Sequence, residues 1–151
     1  MKTTAIISTV LLATASTTLA APSALKRALQ PLQLTNLSGN LYSETLPTTY
    51  DIVFALSDPN TNIDTHCDAV WSEGQAGTLM FSCSNPAYQV NFPDGIYDVE
   101  NFVLRVARLD GTESGQSTVS GAEWECTTST GYPEKSCRWV GVFDIDVTAS
   151  S

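Results

Sequence analysis

The sequence predicts an all-β fold, a single compact antiparallel β-barrel or sandwich with two disulfides. Apolar residues recur with period two in four separate runs, turn residues separate those runs, and four cysteines follow an export signal.

The strongest run is Tyr50, Ile52, Phe54 and Leu56, alternating with Asp51, Val53 and Ala55, as a half-buried strand does. Tyr88, Val90 and Phe92 repeat the pattern opposite Gln89 and Asn91, and Phe102, Leu104 and Val106 do so opposite Arg105 and Ala107. Phe143, Ile145 and Val147 form a last run with Asp144 and Asp146 outward. Shorter strands are expected at Leu32–Leu34, Thr78–Phe81, Ala122–Cys126 and Arg138–Val142. Turn chemistry falls between them, at Asp58-Pro59-Asn60, Asn85-Pro86, Pro93-Asp94-Gly95, Asp110-Gly111 and Gly131-Tyr132-Pro133. No helical period stands out after Leu29.

The N-terminus reads as targeting sequence. Met1-Lys2 is a basic start, Ala5 to Ala15 is mostly apolar and small, and Thr18-Leu19-Ala20 offers the small residues a signal peptidase reads. Residues 1–20 are expected to be a signal peptide, 21–27 a short propeptide ending in the dibasic Lys26-Arg27, and 28–151 the barrel domain. The apolar run is shorter than the ~20 residues a spanning helix needs. A secreted, extracellular product with no membrane association is the expectation.

Removing residues 1–27 leaves Arg105, Arg108, Lys135 and Arg138 as the only bases and moves the formal charge from −9 to about −12. Such a field repels nucleic acid and anionic lipid. A basic protein or a wall surface remains compatible.

Cys67, Cys83, Cys126 and Cys137 are even in number and lie beyond the signal peptide, which reads as two disulfides with three possible connectivities. Sequential pairing would close separations of 16 and 11 residues, each worth roughly 3 kcal/mol in chain entropy. Metal binding would want close CxxC spacing, which is absent, so neither a metal nor another cofactor is expected.

In order, the chain has the export signal, an early strand around Leu34 to Leu41, the run Tyr50 to Asn60, Cys67 and Cys83, Phe102 to Val106, then Cys126 and Cys137 before a final strand. This layout resembles the Alternaria major allergen family, small secreted fungal β-barrel proteins that include plant-defence elicitors and effectors. The resemblance implies a compact antiparallel barrel with disulfides Cys67–Cys83 and Cys126–Cys137. The founding allergen joins two barrels through an additional N-terminal cysteine, and this chain has none before Cys67. A monomer or non-covalent dimer is therefore expected.

Several local patterns invite chemistry. Asp58 to Asp64 places oxygen ligands at alternate positions like a calcium loop, but Ile63 stands where the turn wants Gly and Ala69 where a bidentate Glu belongs. An Asx-rich turn is the simpler account. Glu123 with Glu125, and Asp144 with Asp146, are carboxylate pairs of the kind a glycosidase uses, yet outward acids on amphipathic strands explain them as well. His66, the single histidine, has no Gly-x-Ser-x-Gly elbow to serve. No catalytic residue is assigned. Asn36-Leu37-Ser38 is a glycosylation sequon, which makes Asn36 the candidate acceptor.

Of the aromatics, most are expected in the core and Tyr132 outside it, because Gly131-Tyr132-Pro133 is the middle of the Cys126–Cys137 loop. Lys135 and Arg138 add half of the mature chain's bases to that loop. Tyr132, Lys135 and Arg138 are thus the candidate binding residues. The function expected is a non-enzymatic effector or elicitor that binds an extracellular host protein or wall component. The alternatives are an extracellular hydrolase on polysaccharide and a carrier of a small apolar ligand, marked by converging buried acids and by an apolar cavity respectively.

Overall fold

A computed structural model of the chain describes residues 28–43, 47–75 and 80–149. The expected signal peptide and propeptide lie outside the described residues. Strand β1 (Leu32–Tyr42) is the hub of the first sheet. One of its edges pairs, on both sides of a break at residues 36–37, with β2 (Thr49–Asp58), which forms a ten-pair antiparallel ladder with β3 (Ile63–Ser72). The other edge of β1 is shared. Leu32–Leu34 pair with β10 (Phe143–Ile145), and Ser38–Leu41 pair with β9 (Lys135–Trp139), which in turn pairs with β8 (Trp124–Thr128).

The division has a local cause. Asn36 takes φ 54, a left-handed conformation that Asn tolerates better than most residues, and the ladder to β2 shifts register there. That bulge turns Leu37 into the core, where it is 1% exposed. The two halves of β1 then face different neighbours.

The second sheet runs β11 (Val147–Ala149), β7 (Glu113–Val119), β6 (Phe102–Arg108), β5 (Tyr88–Asn91), β4 (Met80–Ser82), all antiparallel. Two seams join the sheets into a barrel-like body. At one, the terminal run crosses from β10 to β11 at Asp146, and Gly115 of β7 leaves the room, since a Cβ there would meet the Asp146 carbonyl oxygen. At the other, Cys67 is bonded to Cys83 with Cα atoms 4.1 Å apart, and the Ser84 amide donates to the His66 carbonyl at 2.7 Å. The second disulfide, Cys126–Cys137, links directly opposed residues of β8 and β9. No cysteine is free.

The alternating runs place their apolar faces inward: Ile52, Phe54 and Leu56 meet Cys67, Ala69, Trp71, Tyr88, Val90, Leu104 and Val106. Each such side chain stabilises by about 1.5–3 kcal/mol on burial. Trp71, Phe92, Phe102 and Trp124 form an aromatic row with centroid spacings of 5.5, 5.7 and 6.0 Å. Trp124 is fixed further by its Nε1, which donates to the Val99 carbonyl at 2.8 Å.

Four expectations need correction. The last run is two strands, because Asp146 carries the chain between sheets. The hairpin strands lie at 124–128 and 135–139 rather than Ala122–Cys126 and Arg138–Val142, since Gly141 at φ 95 makes residues 140–142 a turn. Leu32–Leu34 is only the start of an eleven-residue strand. Strands β3 and β7 are additions, and each is held by pairing on its neighbours rather than by a strong apolar stripe.

Candidate functional site

The Cys126–Cys137 hairpin carries the candidate site. Its turn, residues 129–134, is anchored by the Ser129 amide donating to the Glu134 carbonyl and the Glu134 amide donating to Leu41 of β1. Tyr132 sits there 62% exposed, its ring 4.6 Å from that of Tyr42 at the end of β1. Tyr42 is itself fixed, with its hydroxyl donating to Asp51 at 2.9 Å. Burial and that hydrogen bond push the Tyr42 phenol up to about 12, so it stays a neutral donor.

A polar ladder runs from this aromatic pair across the outer face of the sheet. The Ser136 hydroxyl donates to Asn40 at 2.7 Å, and the Asn40 amide donates to Asp51 at 2.8 Å. Arg138 lies on the same face, because Ser136 and Arg138 alternate with the inward Cys137. Its side chain is 76% exposed and pairs with Glu125 at 3.2 Å. Tyr132 and Arg138 therefore share a face.

Lys135 does not join them. Three residues from Arg138 in a strand, it points to the opposite face. There its Nζ contacts Glu100 at 2.7 Å and Asp98 at 3.8 Å, and the Glu100 hydrogen bond raises its pKa. It ties the hairpin to the loop beneath.

Asn36 is exposed at the β1 bulge, on the rim of an open cleft of about 550 Å³ that Leu37, Arg138, Trp139 and Val140 also line. The sequon is thus presented outward. Asp58 to Ile63 form an Asx turn, with the Asn60 amide and the Thr61 hydroxyl both donating to the Asp58 carboxylate. Glu125 is engaged by Arg138, Asp144 accepts from Gln33 at 3.5 Å, and Glu123 and Asp146 are exposed, so neither surface pair converges. His66 is exposed on β3. Among the described residues no group of three or more histidines, cysteines or acids is placed to hold a metal.

Two features escape sequence reasoning. Tyr97 is 78% exposed, more than Tyr132, because its neighbour Ile96 is the residue that buries. It stands apart from the hairpin face, beside Tyr50 and Trp71. The other is a converging acid pair, Asp58 and Glu113, 1% and 3% exposed. Their carboxyls lie within reach of each other, so that one proton between them can make a mutual hydrogen bond. Burial, that bond and the Asp58 charge push Glu113 up to about 7. Burial would raise Asp58 too, but hydrogen bonds from Glu113, Thr61, Tyr88 and the Asn60 amide prevail and hold it at about 2. Splitting of this kind suits acid–base catalysis. Here, however, Tyr88, Thr61 and Asn60 close around the pair, and general acid or base chemistry requires contact with a substrate.

In comparisons with known proteins, no family model, no curated protein and no solved structure matches this chain.

Proposed function

We propose that this chain is a secreted, non-enzymatic protein of the effector or elicitor type, which binds a host defence protein or a cell-wall component outside the cell. The observation that carries the reading is the exposed Tyr132 ring packed at a tilt against Tyr42, on the disulfide-held hairpin and on the same sheet face as Arg138. A tyrosine immobilised before contact loses little conformational entropy on binding, and aromatic and Arg side chains are the usual anchors of interfaces. Two disulfides fit an extracellular protein. The export signal and the resemblance to the Alternaria allergen family support the same reading.

The partner is an uncharged or cationic surface, given the excess of acids. A glycan on Asn36 belongs to this reading and would stand at the cleft that Asn36 lines together with Arg138. The test is incubation of the 28–151 protein with host extracellular fluid and, separately, with insoluble wall material, followed by recovery of the bound fraction. Retention on one of the two, abolished by competing unlabelled protein, is the expected result. Failure to retain on either sinks the proposal.

A further inference from the structure

The Asp58–Glu113 pair lies where the β2–β3 turn, the N-terminal segment and the second sheet meet. Asn60 is the coupling element. Its side-chain amide donates to Glu113 Oε2 at 3.2 Å and to the Gln30 carbonyl at 2.9 Å, while its Oδ1 accepts from the Gln30 amide at 2.8 Å. Its own backbone amide donates to Asp58 at 2.8 Å. From β5 the Tyr88 hydroxyl donates to Asp58 at 2.6 Å. From β6 Arg108 lies over the Tyr88 ring, 5.9 Å from its centroid, and pairs with Asp110 at 2.7 Å. The β11 residue opposite Glu113 is Ala149, which carries no charge. Among the described residues, Glu113 Oε1 is buried and meets no N–H or O–H donor.

We propose that Asp58 and Glu113 form a proton-operated latch. One shared proton fastens the β2–β3 turn and the segment at Gln30 to β7, and loss of that proton frees both. With the proton present, one carboxyl donates to the other and the remaining oxygens accept from Asn60, Thr61 and Tyr88. Without it, two carboxylates face each other in a desolvated seam, where like charges are strongly disfavoured. Arg108 pairs with Asp110 through Nη2, its buried Nε has no partner among the described residues, and its charge pulls Glu113 downward without overcoming burial and the Asp58 charge. Asn60 then loses its geometry at Glu113, and Gln30 loses both of its bonds.

The direction in pH follows from the proton count. Below about 4.5 Glu113 is protonated folded or unfolded and its contribution is complete; between about 4.5 and 7 only the folded state keeps the proton, so stability falls as pH rises. Asp58 works at the other end, where its contribution is lost as pH falls from 3.8 towards 2. The latch is tightest in moderately acid medium.

Amide exchange of the 28–151 protein, corrected for intrinsic rate, tests this at pH 4.5 and 7.5 in wild type and Glu113→Gln. The expected result is a loss of protection at Gln30 and Asn60 of roughly tenfold or more at the higher pH in wild type, and none in Glu113→Gln, whose amide donates without titrating. Equal protection at both pH values, or a pH dependence that survives in Glu113→Gln, overturns the latch. Should that variant not fold, carbon-13 titration of the wild-type Glu113 carboxyl decides. A midpoint near 7 supports the latch and one near 4.5 overturns it.

Discussion

Lys135 Nζ lies 2.7 Å from Glu100 Oε1, on the side of β9 opposite to Arg138. The two bases nearest Tyr132 in sequence therefore do different work. Lys135 holds the 98–100 loop under the hairpin, and Arg138 faces solvent on the sheet face that carries the tyrosine pair.

Charge reversal separates the two roles. Lys135→Glu sets a like charge against Glu100 and Asp98 and is expected to cost about 1 kcal/mol, with faster amide exchange in residues 98–100 and unchanged partner binding. Arg138→Glu sets a like charge opposite the exposed Glu125, is expected to cost less than Lys135→Glu, and weakens binding. Urea denaturation and a binding isotherm on each variant check the pair.

The disulfides should resist alkylation in the unreduced protein, and peptide mapping should find Cys67 joined to Cys83 and Cys126 to Cys137. Replacing either pair by alanines is expected to lower stability by about 3 kcal/mol. Loss of Cys67–Cys83 should also raise amide exchange at Ser84, which bonds across the seam to His66. A crossed linkage in the map contradicts the fold.

Gly115→Ala places a methyl group against the Asp146 carbonyl and the Ile145 side chain, at the point where the chain passes between sheets. Backbone cannot move aside there without opening the β7–β11 pairing. A loss of about 2–3 kcal/mol in chemical denaturation is expected. Wild-type stability would mean that the seam is looser than described.

Much of this architecture is legible in the sequence. The period of two in Tyr50–Leu56 assigns the buried face of β2 residue by residue, and one further step along it reaches Asp58. Its partner is not legible. Glu113 opens a run of Ser, Gly, Gln and Thr that is a strand only because β6 and β11 pair with it. Strand β3 hides for a related reason, as its inward residues are Cys67, Ala69 and Trp71, while Asp64, His66 and Asp68 fill the other face. At the site, exposure of Tyr132 follows from its turn. The separation of Lys135 from Arg138 follows from strand parity once the segment is known to be a strand and not a loop. Packing of Tyr132 against Tyr42 joins residues 90 apart in sequence, and nothing local announces it.

The most direct measurement compares Tyr132→Ala with Tyr97→Ala against the retained host fraction, after both variants are shown to keep the wild-type melting temperature. Both rings are exposed, at 62% and 78%, but only Tyr132 lies on the hairpin face. The account predicts that Tyr132→Ala weakens binding by about tenfold or more, as loss of an interfacial aromatic anchor does, and that Tyr97→Ala binds like wild type. Full binding by Tyr132→Ala, with loss in Tyr97→Ala, would place the recognition surface elsewhere and contradict the site.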